Sequence, residues 1–175
     1  MRIAGCILVG LVALLIVPAG RAQTRHEALT EPEITQLRET AQDAVERLKL
    51  YIKFARARLA LLLQAHDDLK LTDRTQQIRD HLQEFLSVYD EMNDNVDTIA
   101  DRKADMRKPL KHVIEADTEF QARLRAFKDS GAMKDAEAGQ YEFLLTNTID
   151  TLDSSSKDHR DLLKEQEEAA KQKKK

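Results

Sequence analysis

Five histidines, His26, His66, His81, His112 and His159, are the residues most able to do chemistry here. His81 and His112 each open a His-x-x-Glu, with Glu84 and Glu115 three residues on. That spacing puts imidazole and carboxylate on one helical face, where they hold Zn or Cu weakly. Helical di-iron centres use the opposite order, Glu-x-x-His, and no histidine here has Glu three residues before it. A surface ion pair is the plainer reading of each. A weak metal-binding bundle centred on His81, Glu84, His112 and Glu115 is the sharper one, and no metal or other cofactor is expected.

Ser154-Ser155-Ser156 precedes Asp158 and His159, which raises nucleophilic catalysis. Consecutive helical positions point different ways, and a triad needs an oxyanion hole built from turns. No enzyme activity and no catalytic residue is expected. Asp90, Asp94, Asp97, Asp101 and Asp105 form a stripe, but a calcium loop needs a bent backbone with a glycine. Lys103 and Asp117 are polar intrusions on an apolar seam. They are expected where that seam opens to water, near the ends of helices 1 and 3, and Leu124 and Phe127 are expected half covered at the two-helix ends of the bundle. These four residues make the expected interaction surface.

Composition narrows the function classes. Of 175 residues, 34 % are charged and 5 % aromatic, with no Trp. No glycine lies between Arg21 and Ser130, which excludes Gly-rich phosphate loops and dinucleotide-binding turns. Residues 1–22 read as a secretory signal, with Arg2 ahead of the apolar run Ile7–Val17 and cleavage expected after Ala22. An uncleaved N-terminal membrane anchor is the alternative, although the run is short for a bilayer span. Cys6, the only cysteine, leaves with the signal, so the mature chain has no disulfide or thiolate chemistry. Cleavage leaves 26 bases against 31 acids, a poor balance for binding nucleic acid. The expected location is the periplasm or the exterior.

Apolar periodicity then fixes the class as all-α. Steps of three and four run from Ile34 to Leu69, and a 3.5-residue seam runs from Leu71 through Leu82, Met92 and Met106 to Phe127. Helix 1 is expected from Thr30 to about Lys70, opened by a Thr30–Glu33 capping box with Pro32 in the first turn. Reversal at Lys70–Thr72, with Thr72 as cap, sets Leu59 against Phe85, Ile52 against Met92 and Leu48 against Val96. It also sets Lys53 near Asp90 and Lys49 near Asp94. Because the seam stays in phase past Pro109, helix 2 is expected continuous from about Asp73 to Lys128, kinked at Pro109. Gly131 ends it. Helix 3, about Met133 to Ala170, folds back to set Tyr141 against Phe120 and Ile149 against Val113.

The expected architecture is an elongated antiparallel three-helix bundle or coiled coil. The alternative is a four-helix bundle broken at Pro109. By segment the chain reads as signal peptide 1–22, linker 23–29, helical domain 30–170 and basic tail 171–175. The C-terminal lysines suit weak contact with an anionic envelope surface.

Leu71-Thr72-Asp73 with Gln76-Gln77-Ile78-Arg79 resembles a helix start of the Spy and CpxP periplasmic helical chaperones, and Leu29-Thr30-Glu31-Pro32-Glu33 is a looser echo. The likeness covers about a dozen residues. Glu33 and Thr75 stand where that family's Leu-Thr-x-x-Gln places glutamine. The resemblance implies a chaperone-like or envelope-stress role. The leading expectation is an exported non-enzymatic protein that binds a protein partner or self-associates. The chaperone and metal-binding readings stand behind it.

Overall fold

The computed structural model describes residues 29–132 and 138–172. The expected signal segment, its cleavage point, His26, most of the linker, the start of helix 3 at Met133 and residues 173–175 of the tail lie outside the described residues. Among the described residues the chain is helical, with no strand. Its α-helices are α1 (Glu31–Glu39), α2 (Ala44–Asp67), α3 (Arg74–Asp101), α4 (Arg107–Phe127) and α5 (Glu142–Gln172). A π-turn, Lys128–Ala132, follows α4, and a 3-10 turn, Ala138–Gln140, precedes α5. No helix among the described residues is long and apolar enough to cross a membrane.

The expected helix 1 is two helices. Its start is as read: Glu33 Oε2 accepts from the Thr30 backbone N–H at 2.8 Å and from the Thr30 hydroxyl at 3.0 Å. It ends at Glu39, where the Thr40 hydroxyl bonds back to the carbonyls of Gln36 and Leu37. Asp43 then captures the N–H groups of Val45 and Glu46 at 2.9 and 3.1 Å. A carboxylate that satisfies the orphan donors of the next turn starts a new helix there. Arg47 reaches back to the Leu37 carbonyl at 2.7 Å and closes the corner.

The kinked helix 2 is also corrected. α3 stops at Asp101, and Lys103 adopts φ 57°, the left-handed conformation that ends helices. The division falls ahead of Pro109, which is the third residue of α4. A first-turn N–H has no intrahelical partner, so proline is harmless there. Pro109 therefore helps begin a helix and bends nothing. The seam keeps phase because the connection itself packs inward. Met106 is fully buried, and its N–H donates to Gln166 Oε1 of α5 at 2.7 Å. The cap of α3 also lies one residue beyond the expected Thr72, at Asp73.

Cross-helix bonds define the packing. Asn95 of α3 accepts from Arg47 Nε at 2.7 Å and donates to the Tyr51 hydroxyl at 3.0 Å, both on α2. Antiparallel α2 and α3 thus bracket the expected register, which places residue 95 opposite residue 49. α4 runs beside α2 in the same direction, through Arg56–Glu119 at 2.6 Å and the edge of His66 against Phe127 at 5.1 Å. Across the centre, Phe120 of α4 meets Phe85 and Tyr89 of α3, with centroids 5.2 and 6.4 Å apart.

α5 runs antiparallel to α4 but not in the expected register. Asp153 accepts from Gln121 and Arg125, at 2.9 and 2.6 Å, and Tyr141 lies beside Phe127, with centroids 6.1 Å apart. The expected Tyr141–Phe120 and Ile149–Val113 facings are displaced by about two heptads, a slip that keeps the same faces inward. The cause is a longer connection: Gly131 makes no tight reversal, and α5 begins only at Glu142.

The charge stripes find other partners too. Lys49 pairs with Glu46 at 2.8 Å, and Lys53 lies over the Phe54 ring at 6.0 Å. Neither Lys53–Asp90 nor Lys49–Asp94 forms. Burial, and then Asp94 beside it, pushes the Asp90 carboxyl above its ordinary value.

Arg58 takes a sheltered pair, to Glu33 of α1, at 2.5 and 2.7 Å. Burial pushes the Glu33 carboxyl up, but hydrogen bonds from Arg58 and Thr30 together hold it below its ordinary 4.5. A depressed carboxyl contributes stability above its ordinary value and loses it as pH falls through the folded one. Between about pH 5 and about pH 3, wild-type protein is expected to lose more melting temperature than Glu33→Gln. Equal acid slopes for the two proteins would remove Glu33 as a source of acid lability.

Candidate functional site

Three helices meet on one carboxylate. Asp117, on the inner face of α4, is 0 % exposed. Its Oδ1 accepts from the Tyr89 hydroxyl of α3 at 2.8 Å, and its Oδ2 bonds His159 Nδ1 of α5 at 2.9 Å. A buried anion is tolerable only when donors replace its water, and here two side chains from separate helices do so. Burial, and next the charge of Asp117, drives the Tyr89 phenol far above its ordinary value, so Tyr89 remains a donor. Asn93 extends the polar layer by donating to Ser155 Oγ at 3.0 Å.

This arrangement corrects the reading of Asp117 as a point where the seam opens to water. Leu124, fully buried, and Phe127, nearly so, are core residues, not half-covered ones. Of the four expected interaction residues only Lys103 is exposed, in the α3–α4 turn. Tyr89, His159 and Asp117 all occupy seam positions in the sequence. Hydrogen-bonding residues at seam positions, two on the Leu71–Phe127 seam and one on the seam of helix 3, are the signal that points to a shared buried layer.

His159 sits at the edge of that layer. It is 4 % exposed and lines a groove of about 480 Å³ between α3 and α5, together with Asn93, Val96, Asp97, Asp101 and Asp158. The carboxylate that orients its ring is therefore Asp117, from another helix, and not the neighbouring Asp158. A base held by a buried carboxylate is half of a hydrolytic triad. The other half does not assemble: no serine hydroxyl bonds the histidine, and Ser155 is engaged with Asn93. The nearby N–H groups lie within α5, where the helical ladder takes them.

No family model matches the chain, and no curated protein or solved structure matches it either.

The histidine–glutamate pairs stay separate. His81 Nδ1 lies 3.1 Å from Glu84 on α3, and His112 Nδ1 lies 4.0 Å from Glu115 on α4. No three metal-ligating side chains converge among the described residues, so these four do not centre one site. His66 packs edge-on against Phe127 at 5.1 Å and reaches Asp67 at 3.0 Å.

The apolar exposure lies elsewhere. Phe143 is 84 % exposed, Leu69 83 % and Leu61 43 %. Leu69 follows the C-terminal end of α2 and Phe143 stands in the first turn of α5. The ring chain His66–Phe127–Tyr141 joins those two segments at one end of the molecule.

Proposed function

We propose that this is an exported, non-enzymatic helical-bundle protein that acts by contact with a protein partner, made at the end carrying Leu69 and Phe143. The observation that carries the reading is the exposure of Phe143 and Leu69 at one end of an otherwise well-packed helical molecule. Isolated exposed leucines are ordinary, but a phenylalanine open to water at the same end of the molecule as a second open apolar side chain supports a contact surface there. Aromatic side chains in such places also supply much of the binding energy of interfaces. Export rests on the reading of residues 1–22 as a signal, and the bundle arrangement on the heptad seams together with the cross-helix bonds.

The test is a pull-down from an envelope fraction with the mature chain, compared with Leu69→Ser/Phe143→Ser. Loss of a specific co-purifying protein from the double variant, with the melting temperature unchanged, is the expected result. Equal capture by both proteins would move the contact elsewhere. The same exposed side chains suit a second reading, the holding of unfolded clients. A mature chain that fails to suppress aggregation of a model client removes that one.

A further inference from the structure

We propose that the end of the molecule built from the α3–α4 turn and the last turn of α5 docks on an anionic lipid surface and holds the bundle end-on to it. The charge of the chain is divided unevenly. Of 28 basic and 31 acidic residues, segments 102–111 and 171–175 hold nine basic and one acidic, leaving 19 against 30 elsewhere. The fold brings the first segment to the end of α5. Gln166 accepts from the Met106 N–H at 2.7 Å and donates to the Ala104 carbonyl at 3.2 Å. A groove between the start of α4 and the end of α5 is lined by Arg107, Lys108, Lys111 and Lys171, with Asp105 and Glu167 as its acids.

Those acids leave a surplus of positive charge. Asp105 matches Arg107, and Glu167 meets Lys111 only at 3.9 Å. Arg102, Lys103, Lys108 and Lys171 are exposed and have no ion pair among the described residues. The turn that carries the first three is anchored by the fully buried Met106 and by the two Gln166 bonds. Its cations are therefore presented without the cost of ordering a loop on contact. They come from a turn and two helix ends, which suits headgroups that move laterally to meet them. Each lysine or arginine brought to an anionic leaflet adds to the attraction, so several weak contacts make one usable affinity.

Charge also sets the orientation. α3 carries Asp90, Asp94, Asp97 and Asp101 along its length, and an anionic surface repels that side. α4 runs from the basic end to Phe127, whose ring meets His66 and Tyr141. Docking therefore points Leu69 and Phe143 away from the lipid, about 30 Å off along α4. The lipid contact is separate from the partner contact proposed above and stands or falls without it.

The experiment sediments the full mature chain with vesicles of phosphatidylglycerol in phosphatidylcholine, and with vesicles of phosphatidylcholine alone. Binding to the first only, lost when salt is raised to about 0.5 M, is expected. Arg102→Gln/Lys103→Asn/Lys108→Gln should weaken it by about tenfold or more. Lys53→Gln/Lys70→Gln/Arg79→Gln, of equal charge change at exposed sites elsewhere, should weaken it by about twofold or less. Asparagine tolerates the left-handed conformation of residue 103, so folding is preserved for the comparison. Lys173→Gln/Lys174→Gln/Lys175→Gln should keep part of the binding. The chain has no Trp, so single probes report orientation. Ala169→Trp should transfer energy to a dansyl-labelled headgroup, and Phe143→Trp should not. Absence of binding to the anionic vesicles, equal weakening by the two triple variants, complete loss in the tail variant, or equal transfer from the two probes overturns the proposal.

Discussion

Asp117→Ala is expected to destabilise the protein by about 3–5 kcal/mol, the usual cost of breaking a buried polar pair from one side. The size follows from what remains behind. Tyr89 loses the acceptor of its 2.8 Å bond and His159 the acceptor of its 2.9 Å bond, and both groups are buried. Each stranded donor costs roughly 1–3 kcal/mol, because water cannot replace the carboxylate. Asp117→Asn is expected to be milder. Its carbonyl can still accept from Tyr89, but its amide faces the His159 nitrogen and forces the other tautomer. Urea unfolding followed by circular dichroism measures both. An alanine variant within about 1 kcal/mol of wild type would show that the three-helix junction contributes little.

Phe120→Ala is expected to cost a similar amount, about 3–5 kcal/mol, for a different reason. Phe120 is fully buried between α3 and α4, edge-on to Phe85 at 5.2 Å and to Tyr89 at 6.4 Å. Removing the ring leaves a void that rigid neighbouring aromatics fill poorly, and it forfeits the edge contacts as well. Phe143→Ala supplies the contrast. That side chain is 84 % exposed, so its loss should shift stability by no more than about 0.5 kcal/mol. The same urea experiment ranks the two. A Phe143 variant as unstable as the Phe120 variant would contradict the exposure on which partner binding is argued.

The hairpin of α2 and α3 was legible because its information is local. Period and a short reversal between Asp67 and Arg74 together leave one register, and the Asn95 bonds bracket it. The pairing of α4 with α5 was not legible, because a 3.5-residue seam looks the same after a slip of whole heptads. Only loop length separates the alternatives, and a single glycine at 131 is a weak guide to it. The break at 102–106 was hidden by Met106, an apolar loop residue that preserves the phase of a helix it does not belong to.

The breaks that punctuate the chain are side-chain events. Asp43 and Thr40 act through bonds to the backbone, and hydrophobic spacing does not encode those. The site was half visible. A polar residue on a seam reads as an opening to solvent until its partners on other seams are known. Asp117, His159 and Tyr89 resolve together or not at all. Leu69 was assigned inward by extending the pattern of α2 past Asp67, where the helix has already ended.

The order of the helices has a consequence during synthesis. α2 and α3 form early, yet the rings of Phe85 and Tyr89 in that first half gain their edge contacts with Phe120 only when α4 follows, and the Asp117 carboxylate that Tyr89 bonds is completed only by His159 of α5. A chain that ends after α3 therefore leaves part of its apolar interior and the Tyr89 hydroxyl without their α4 and α5 partners, the kind of surface that makes incomplete chains prone to aggregate.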